Sequence, residues 1–285
     1  MNKNKVNHEI LSPAARIVRW TLSILLILYT CFTLFVISVT LLDSFKTKSD
    51  LVTNFTGWPK NFILDNYMQI LFADKFFLFF KNSIILTLCG TLGCVLFSSM
   101  AAYGIARYQF KGKAIISSYF LIGLMVPVQV SVLPIFLILK NFGLLNHLLG
   151  LILIYMSGIS MSCFIFQKFF KTIPAALEES ARLDGAGDFK IFFRIIYPIS
   201  KPILFTMALI TGIGHWNDFY MPMVLLGGDK VKTLTLAIYQ YIGQFTRFMS
   251  ESMAAVVITL IPIIILYFLF STQIVEGLTG GAVKG

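Results

Sequence analysis

The chain has 285 residues, of which 57% are hydrophobic and 13% are charged, and its net charge is +10 at neutral pH. Average soluble domains carry about 25% charged residues, so this chain has too few charges to cover the surface of a water-soluble globule. The composition favours a protein whose surface is largely covered by lipid. The basic residues lie in short segments between apolar runs, which is typical of loops beside anionic lipid rather than of a nucleic-acid-binding surface.

Six apolar runs are long enough to cross a bilayer, because roughly 20 helical residues span a hydrocarbon core of roughly 30 Å. They are Trp20 to Leu42, Asn82 to Ala106, Ala114 to Leu139, Leu148 to Phe166, Ile203 to Leu226 and Ala254 to Val275. The sequence therefore predicts an all-α membrane protein with one six-helix domain, residues 20–275, between tails at 1–19 and 276–285. Most Lys and Arg residues fall on the side of the N-terminus, so the positive-inside rule predicts that both tails are cytoplasmic.

The third run contains Pro127 and Pro134, with Gln129 between them. A proline inside a membrane helix frees backbone carbonyls, which must find partners in neighbouring helices or in water. Two interpretations follow: a kinked helix beside a polar cavity, or a bend that packing absorbs.

The segment between the fourth and fifth runs, residues 172–198, is the most informative polar stretch, and we call it the coupling element. Its pattern predicts two short helices joined by a turn at Asp184 and Gly185, with Asp188 capping the second helix. Phe189, Phe192, Phe193 and Ile196 recur at helical spacing and predict one apolar stripe, while Pro198 is expected to end the helix. A stiff projection of this kind suits a docking partner, and an amphipathic helix lying on the membrane is the alternative.

The fifth run ends in His215, Trp216, Asn217 and Asp218. An ionisable residue within a membrane span is a functional candidate. His215 and Asp218 are three residues apart on a helix and could pair, and Asp218 could equally cap a helix end.

The coupling element resembles the EAA motif, EAA-x3-G-x9-I-x-LP, of ABC importer permeases. Ser180 stands where that motif has its first alanine, and Tyr197 where it has leucine. The resemblance implies that the residues coupling this chain to an ATPase are Glu179, Ser180, Ala181, Asp184, Gly185, Ala186, Ile195 and Pro198. The stretch from Trp216 to Tyr220 and the C-terminal sequence GLTGGAVKG are similar to the MalG-like sugar branch of these permeases.

This resemblance implies a type I ABC importer permease in a bacterial cytoplasmic membrane. Its expected partners are a second, homologous permease in a heterodimer, two ATPase subunits, an extracytoplasmic solute-binding protein and a carbohydrate substrate. Neutral groups beside aromatic rings would suit a sugar, so the candidates for the translocation path are Gln129, Tyr155, Ser157, Trp216 and Asn217. Asp218 is a further candidate because it is an ionisable residue within a predicted span.

The chain is expected to be a non-catalytic subunit without a cofactor or metal of its own. It lacks the GxxxxGK[ST] phosphate loop, so Mg-ATP is expected in the partner ATPase subunits. Its four cysteines lie in apolar runs without metal-site spacing. The alternatives are a secondary transporter driven by an ion gradient and an intramembrane enzyme that uses His215 and Asp218.

Overall fold

Helices and short turns make up the part of the chain that the structure, a computed structural model, describes: residues 13–73, 75–243 and 249–279. In chain order the helices are α1 (Pro13–Asp43), α2 (Lys48–Thr53), α3 (Asp65–Met68), α4 (Phe76–Arg107), α5 (Lys113–Met125), α6 (Val128–Asn141), α7 (Leu148–Ser157), α8 (Ser160–Phe170), α9 (Ala176–Leu183), α10 (Asp188–Ile191), α11 (Tyr197–Ile199), α12 (Lys201–Asn217), α13 (Tyr220–Leu225), α14 (Leu234–Gly243) and α15 (Met249–Thr279). π-Helical turns follow α3 and α10. Of the predicted tails, residues 1–12 and 280–285 lie outside the described residues.

Within the described residues, four helical stretches are long and apolar enough to cross a membrane. They are Ala14–Asp43, Phe76–Arg107, Leu148–Phe170 and Met249–Phe270, and they coincide with the predicted first, second, fourth and sixth runs. Two bent helix pairs raise the number to six if each pair is one span. The all-α membrane fold is thus confirmed.

The third predicted run is a broken helix rather than a kinked one. α5 and α6 meet at an angle of 105°, and Pro127 lies at the break with extended backbone angles. The residue before a proline avoids the helical region, so α5 ends ahead of Pro127, whereas Pro134 is accommodated inside α6.

The prediction of a continuous fifth span from Ile203 to Leu226 is wrong, because α12 ends at Asn217. The Asp218 carboxylate accepts a hydrogen bond from the backbone N–H of Tyr220 at 2.9 Å. This bond stabilises a local turn at which the chain changes direction. On the other side of α12 the chain bends by 78° between Ile199 and Lys201.

α4 is the central helix of the bundle and packs against α7, α8 and α12. Its buried face carries small residues, among them Gly90, Gly93 and Ser98. Small side chains let neighbouring membrane helices approach closely. The longest helix of the described residues therefore makes its most extensive contacts with α7, α8 and α12.

The loop after α1 is held by a buried polar group that we call the Lys46 cluster: Asp43, Lys46, Asn54 and Phe55. The Lys46 side chain is fully buried, and its Nζ lies 2.6 Å from the Asp43 carboxylate. It also donates to the backbone carbonyls of Asn54 and Phe55 at 2.6 and 3.2 Å. A buried ammonium needs such partners, so these contacts fix the shape of the loop.

Candidate functional site

The turn of the coupling element is built around Gly185. α9 ends at Leu183, and Gly185 then adopts a left-handed backbone with φ of +77°. The N–H of Gly185 donates to the Arg182 carbonyl at 3.0 Å, and that of Ala186 to the Ala181 carbonyl at 2.9 Å. This pair of bonds is the Schellman ending of a helix, which favours glycine at this position and gives a defined turn.

The turn presents large apolar side chains to the outside. Leu183 is 90% exposed and Phe189, on the other side of Gly185, is 73% exposed. The predicted coupling residues Glu179, Ser180, Asp184, Gly185 and Pro198 are also exposed, Ala186 and Ile195 are half-buried, and Ala181 is buried. Exposed leucine and phenylalanine beside acidic groups form a surface suited to a protein partner.

The second half of the coupling element differs from the prediction in two ways. Gly187, not Asp188, is the N-cap of α10, and the Asp188 carboxylate instead lies 3.2 Å from the Arg182 guanidinium. The neighbouring Tyr108 hydroxyl, and after it Arg182, hold the pKa of the Asp188 carboxyl below its usual value.

The predicted apolar stripe is also split. Phe192 and Ile196, in the π-helical turn that follows α10, are buried, whereas Phe189 and Phe193 are exposed. Pro198 does not end the segment, because α11 continues through it to Ile199.

Glu178, which the sequence analysis did not single out, is the acidic residue of the coupling element that the fold buries. Its carboxylate lies 2.6 Å from Nε of Arg107 at the end of α4 and accepts a hydrogen bond from the Tyr103 hydroxyl at 3.0 Å. Arg107 also donates to the Ile173 carbonyl at 2.7 Å. We call Tyr103, Arg107 and Glu178 the Glu178 cluster. Its only signal in the sequence is that Glu178 precedes the buried Ala181 by three residues and so shares its helix face.

Within the membrane, a polar network joins α4, α7 and the end of α12. The Tyr155 hydroxyl donates to the Asp218 carboxylate at 2.7 Å. The His215 ring stacks on Tyr155 with centroids 4.3 Å apart, and its Nδ1 lies 3.0 Å from the Thr91 hydroxyl. Asp218 is therefore bonded to Tyr155 and not, as the spacing suggested, to His215.

The other predicted path residues lie apart from this network. Trp216 is buried and packs edge-on against Phe80 at 5.9 Å, in an apolar cluster. Gln129, Ser157 and Asn217 are exposed at separate positions. Of the six candidates, the structure thus brings together Tyr155 and Asp218.

Residues 94–279 match the family model described as binding-protein-dependent transport system inner membrane component. That stretch spans most of the chain, including the coupling element and, from the polar network, Tyr155, His215 and Asp218. The chain belongs to this family. As an inner membrane component with several apolar helices, it is a multi-pass membrane protein and a transport subunit.

This inner membrane component is similar in sequence to known transport permeases over nearly their whole length. It is 36% identical over 251 residues to the multiple sugar-binding transport system permease protein MsmG of Streptococcus mutans, covering 86% of this chain and 90% of that protein. It is 32% identical over 278 residues to the arabinooligosaccharides transport system permease protein AraQ of Bacillus subtilis, covering 96% and 99%.

Among solved structures, the chain is similar to one from a bacterial ABC transporter involved in the import of the acidic polysaccharide alginate. The TM-score is 0.79, the identity is 23%, and the match covers 92% of this chain and 98% of the other. At this identity the similarity concerns the fold, which is that of an ABC importer permease.

Proposed function

We propose that this chain is one of two permease subunits of an ATP-driven importer that takes up a carbohydrate delivered by a solute-binding protein. The observation that carries the proposal is the rigid turn at Gly185, which presents Leu183 and Phe189 to the outside of an inner membrane transport component. The similarity to MsmG and AraQ, permease proteins of a multiple sugar-binding and an arabinooligosaccharides transport system, supports the substrate class.

Coupling to the ATPase would occur at the exposed surface of α9 and the turn. Leu183 and Phe189 would fill an apolar groove, and the carboxylates of Glu179 and Asp184 would meet cationic or amide groups around it. Ser180, whose hydroxyl donates to the Ala176 carbonyl of its own helix at 2.9 Å, keeps a small, satisfied side chain on this surface.

Energy would pass from the ATPase into the bundle through this surface. Closure of two ATP-bound subunits would move α9, and the segment from α10 to α11 would carry that movement across the 78° bend into α12. Alternating access would follow because the ATP-bound and free states favour different helix arrangements.

In the assembled importer the second permease would be homologous and would form a heterodimer with this chain, above two ATPase subunits and below one binding protein. The tails would lie in the cytoplasm, on the side of the coupling element, as the distribution of Lys and Arg predicts. Mg-ATP would bind to the ATPase subunits and not to this chain.

The carbohydrate would pass along exposed polar groups, of which Gln129, Ser157 and Asn217 are candidates. Tyr155 and Asp218 are engaged with each other and would brace the path, because both would have to exchange their mutual hydrogen bond for one to substrate. Trp216 would support α12 from its buried side.

The proposal is tested by purifying the chain with its co-encoded permease and ATPase subunits. The ATPase should co-purify with the wild type, and Leu183→Asp should release it, because a charge would enter the apolar contact. Phe110→Asp, at an exposed phenylalanine between α4 and α5, is the matched control and should retain the ATPase.

The substrate class is tested by calorimetry of the co-encoded binding protein against a panel of neutral disaccharides and oligosaccharides, arabinooligosaccharides included. Binding of a panel member and its ATP-dependent uptake are expected. Uptake that follows an ion gradient and survives removal of the ATPase would instead identify a secondary transporter.

A further inference from the structure

The Glu178 cluster attaches the coupling element directly to the end of α4. The side chains of Glu178 and Arg107 are 5% and 13% exposed, and their charged atoms lie 2.6 Å apart. A carboxylate this buried is tolerated only when it is paired and hydrogen-bonded, so the contact is part of the folded structure and not an optional surface pair. Tyr103 completes it from one turn earlier on α4.

Aromatic packing surrounds this attachment. The Tyr103 ring contacts Phe170 at the end of α8 and Phe192 in the π-helical turn after α10, with centroids 6.1 and 5.2 Å apart. The polar contact is therefore enclosed by side chains from α8 and from both halves of the coupling element. A displacement of α9 relative to α4 would have to break both the ion pair and this packing.

The other half of α4 contacts the polar network within the membrane. A Cβ added at Gly90 would lie 2.8 Å from Cβ of Tyr155, and Thr91 is hydrogen-bonded to His215. α4 contains no proline. It is thus one uninterrupted helix with the coupling element at one end and the Tyr155–Asp218 contact along its length.

We propose that Glu178 and Arg107 are positioning residues that carry the movement of the docked coupling element into α4. This route would act beside the chain connection through Ser200 to α12. The inference rests on the proposed function, since it needs an ATPase on the coupling element. It assigns different tasks to two adjacent residues: Glu179 faces the ATPase, and Glu178 connects the same helix to the bundle.

The experiment uses the complex of this chain, its co-encoded permease and its ATPase subunits in liposomes, with Mg-ATP. The binding protein is added after loading with the panel saccharide that it retains. The variants are Glu178→Gln, Arg107→Gln and the two combined.

The ATPase should co-purify with each variant, and basal Mg-ATP hydrolysis should stay within about twofold of the wild type. Stimulation of hydrolysis by the loaded binding protein, and uptake, should both fall about tenfold, because both require movement to pass between the coupling element and the helix bundle.

The double variant separates coupling from simple loss of charge. If the two residues act as a unit, the combined variant is no worse than either single variant, because the second change removes a charge that has already lost its partner. Lys171→Gln, which removes an exposed charge from the segment between α8 and α9, is the control and should behave as the wild type.

Wild-type stimulation and uptake in Glu178→Gln would overturn the inference, and so would loss of the bound ATPase from that variant, which would make Glu178 part of the docking surface. If Glu178→Gln does not reach the membrane, Tyr103→Phe replaces it, since that change removes only one hydroxyl. About threefold weaker stimulation is then expected, and an unchanged value would overturn the inference. A wild-type chain that does not bind the ATPase would refute the proposed function instead.

Discussion

Two ion pairs among the described residues are largely buried, and they differ in what they connect. Lys46 and Asp43 are three residues apart, and Lys46 also binds carbonyls of the same loop, so that pair closes one loop upon itself. Glu178 and Arg107 belong to different helices far apart in the sequence. The first pair fixes a local shape, whereas the second fixes one helix relative to another, and only the second can transmit a displacement between them.

The largest expected effect is on the local pair. Lys46→Met leaves the Asp43 carboxylate buried without its cation and should destabilise the folded chain by about 3–5 kcal/mol. The measurement is the free energy of unfolding from SDS titration in mixed micelles. The double variant Lys46→Met with Asp43→Leu is the control and should recover much of the loss; no recovery would show that the carbonyl contacts of Lys46, and not the ion pair, hold the loop.

Breaking the long-range pair should cost less. Arg107→Met should destabilise the chain by about 3 kcal/mol, at the lower end for a buried pair, because Arg107 retains some contact with water. The same titration measures it. Among the molecules that fold, Arg107→Met should lower uptake because it separates the coupling element from α4, whereas Lys46→Met should leave uptake normal. Normal uptake in both variants would contradict the comparison.

The turn that the long-range pair supports should respond to backbone conformation alone. Gly185→Val forces a β-branched residue into φ of +77° and should cost about 1–2 kcal/mol and weaken ATPase retention. A Cβ at this position meets no atom within 4 Å, so the cause is strain rather than collision. Gly185→Asn, which tolerates this conformation, should retain the ATPase in the same pull-down; equal loss in both variants would point to side-chain volume at the docking surface.

The smallest effect is expected at the exposed pair of the coupling element. Arg182 and Asp188 have side chains that are 47% and 58% exposed, and such pairs contribute at most about 1 kcal/mol. Arg182→Gln should therefore leave the unfolding free energy nearly unchanged in the micelle titration. A loss comparable to that of Arg107→Met would mean that exposure does not distinguish the two pairs.

The long apolar helices were predictable from the sequence, because hydrophobic length alone decides what can cross a bilayer. α1, α4 and α15 lie where the first, second and sixth runs predict them. The breaks were not predictable in the same way. α12 ends at Asn217, where the Asp218 carboxylate accepts a hydrogen bond from the backbone N–H of Tyr220, and a continuous apolar run does not reveal that turn.

The coupling element was found by its motif, and its internal arrangement was not. Glu178 and Glu179 are chemically identical neighbours, and only the packing of α9 against α4 decides that the first is buried. Phe189 is likewise exposed while Phe192 and Ile196 are buried, although all three fit one helical stripe in the sequence. Contacts between distant residues, such as that of Tyr155 with Asp218, require the assembled bundle.

The unbroken length of α4 has a geometric consequence. Its 32 residues form a rod about 48 Å long, held at one end by the Glu178 cluster. A tilt of such a rod by about 5° about that end would displace the opposite end by about 4 Å. That displacement is larger than the donor–acceptor distance in a hydrogen bond, which is about 3 Å. A small rotation at the end held by the Glu178 cluster would thus be converted into a larger displacement at the opposite end of α4.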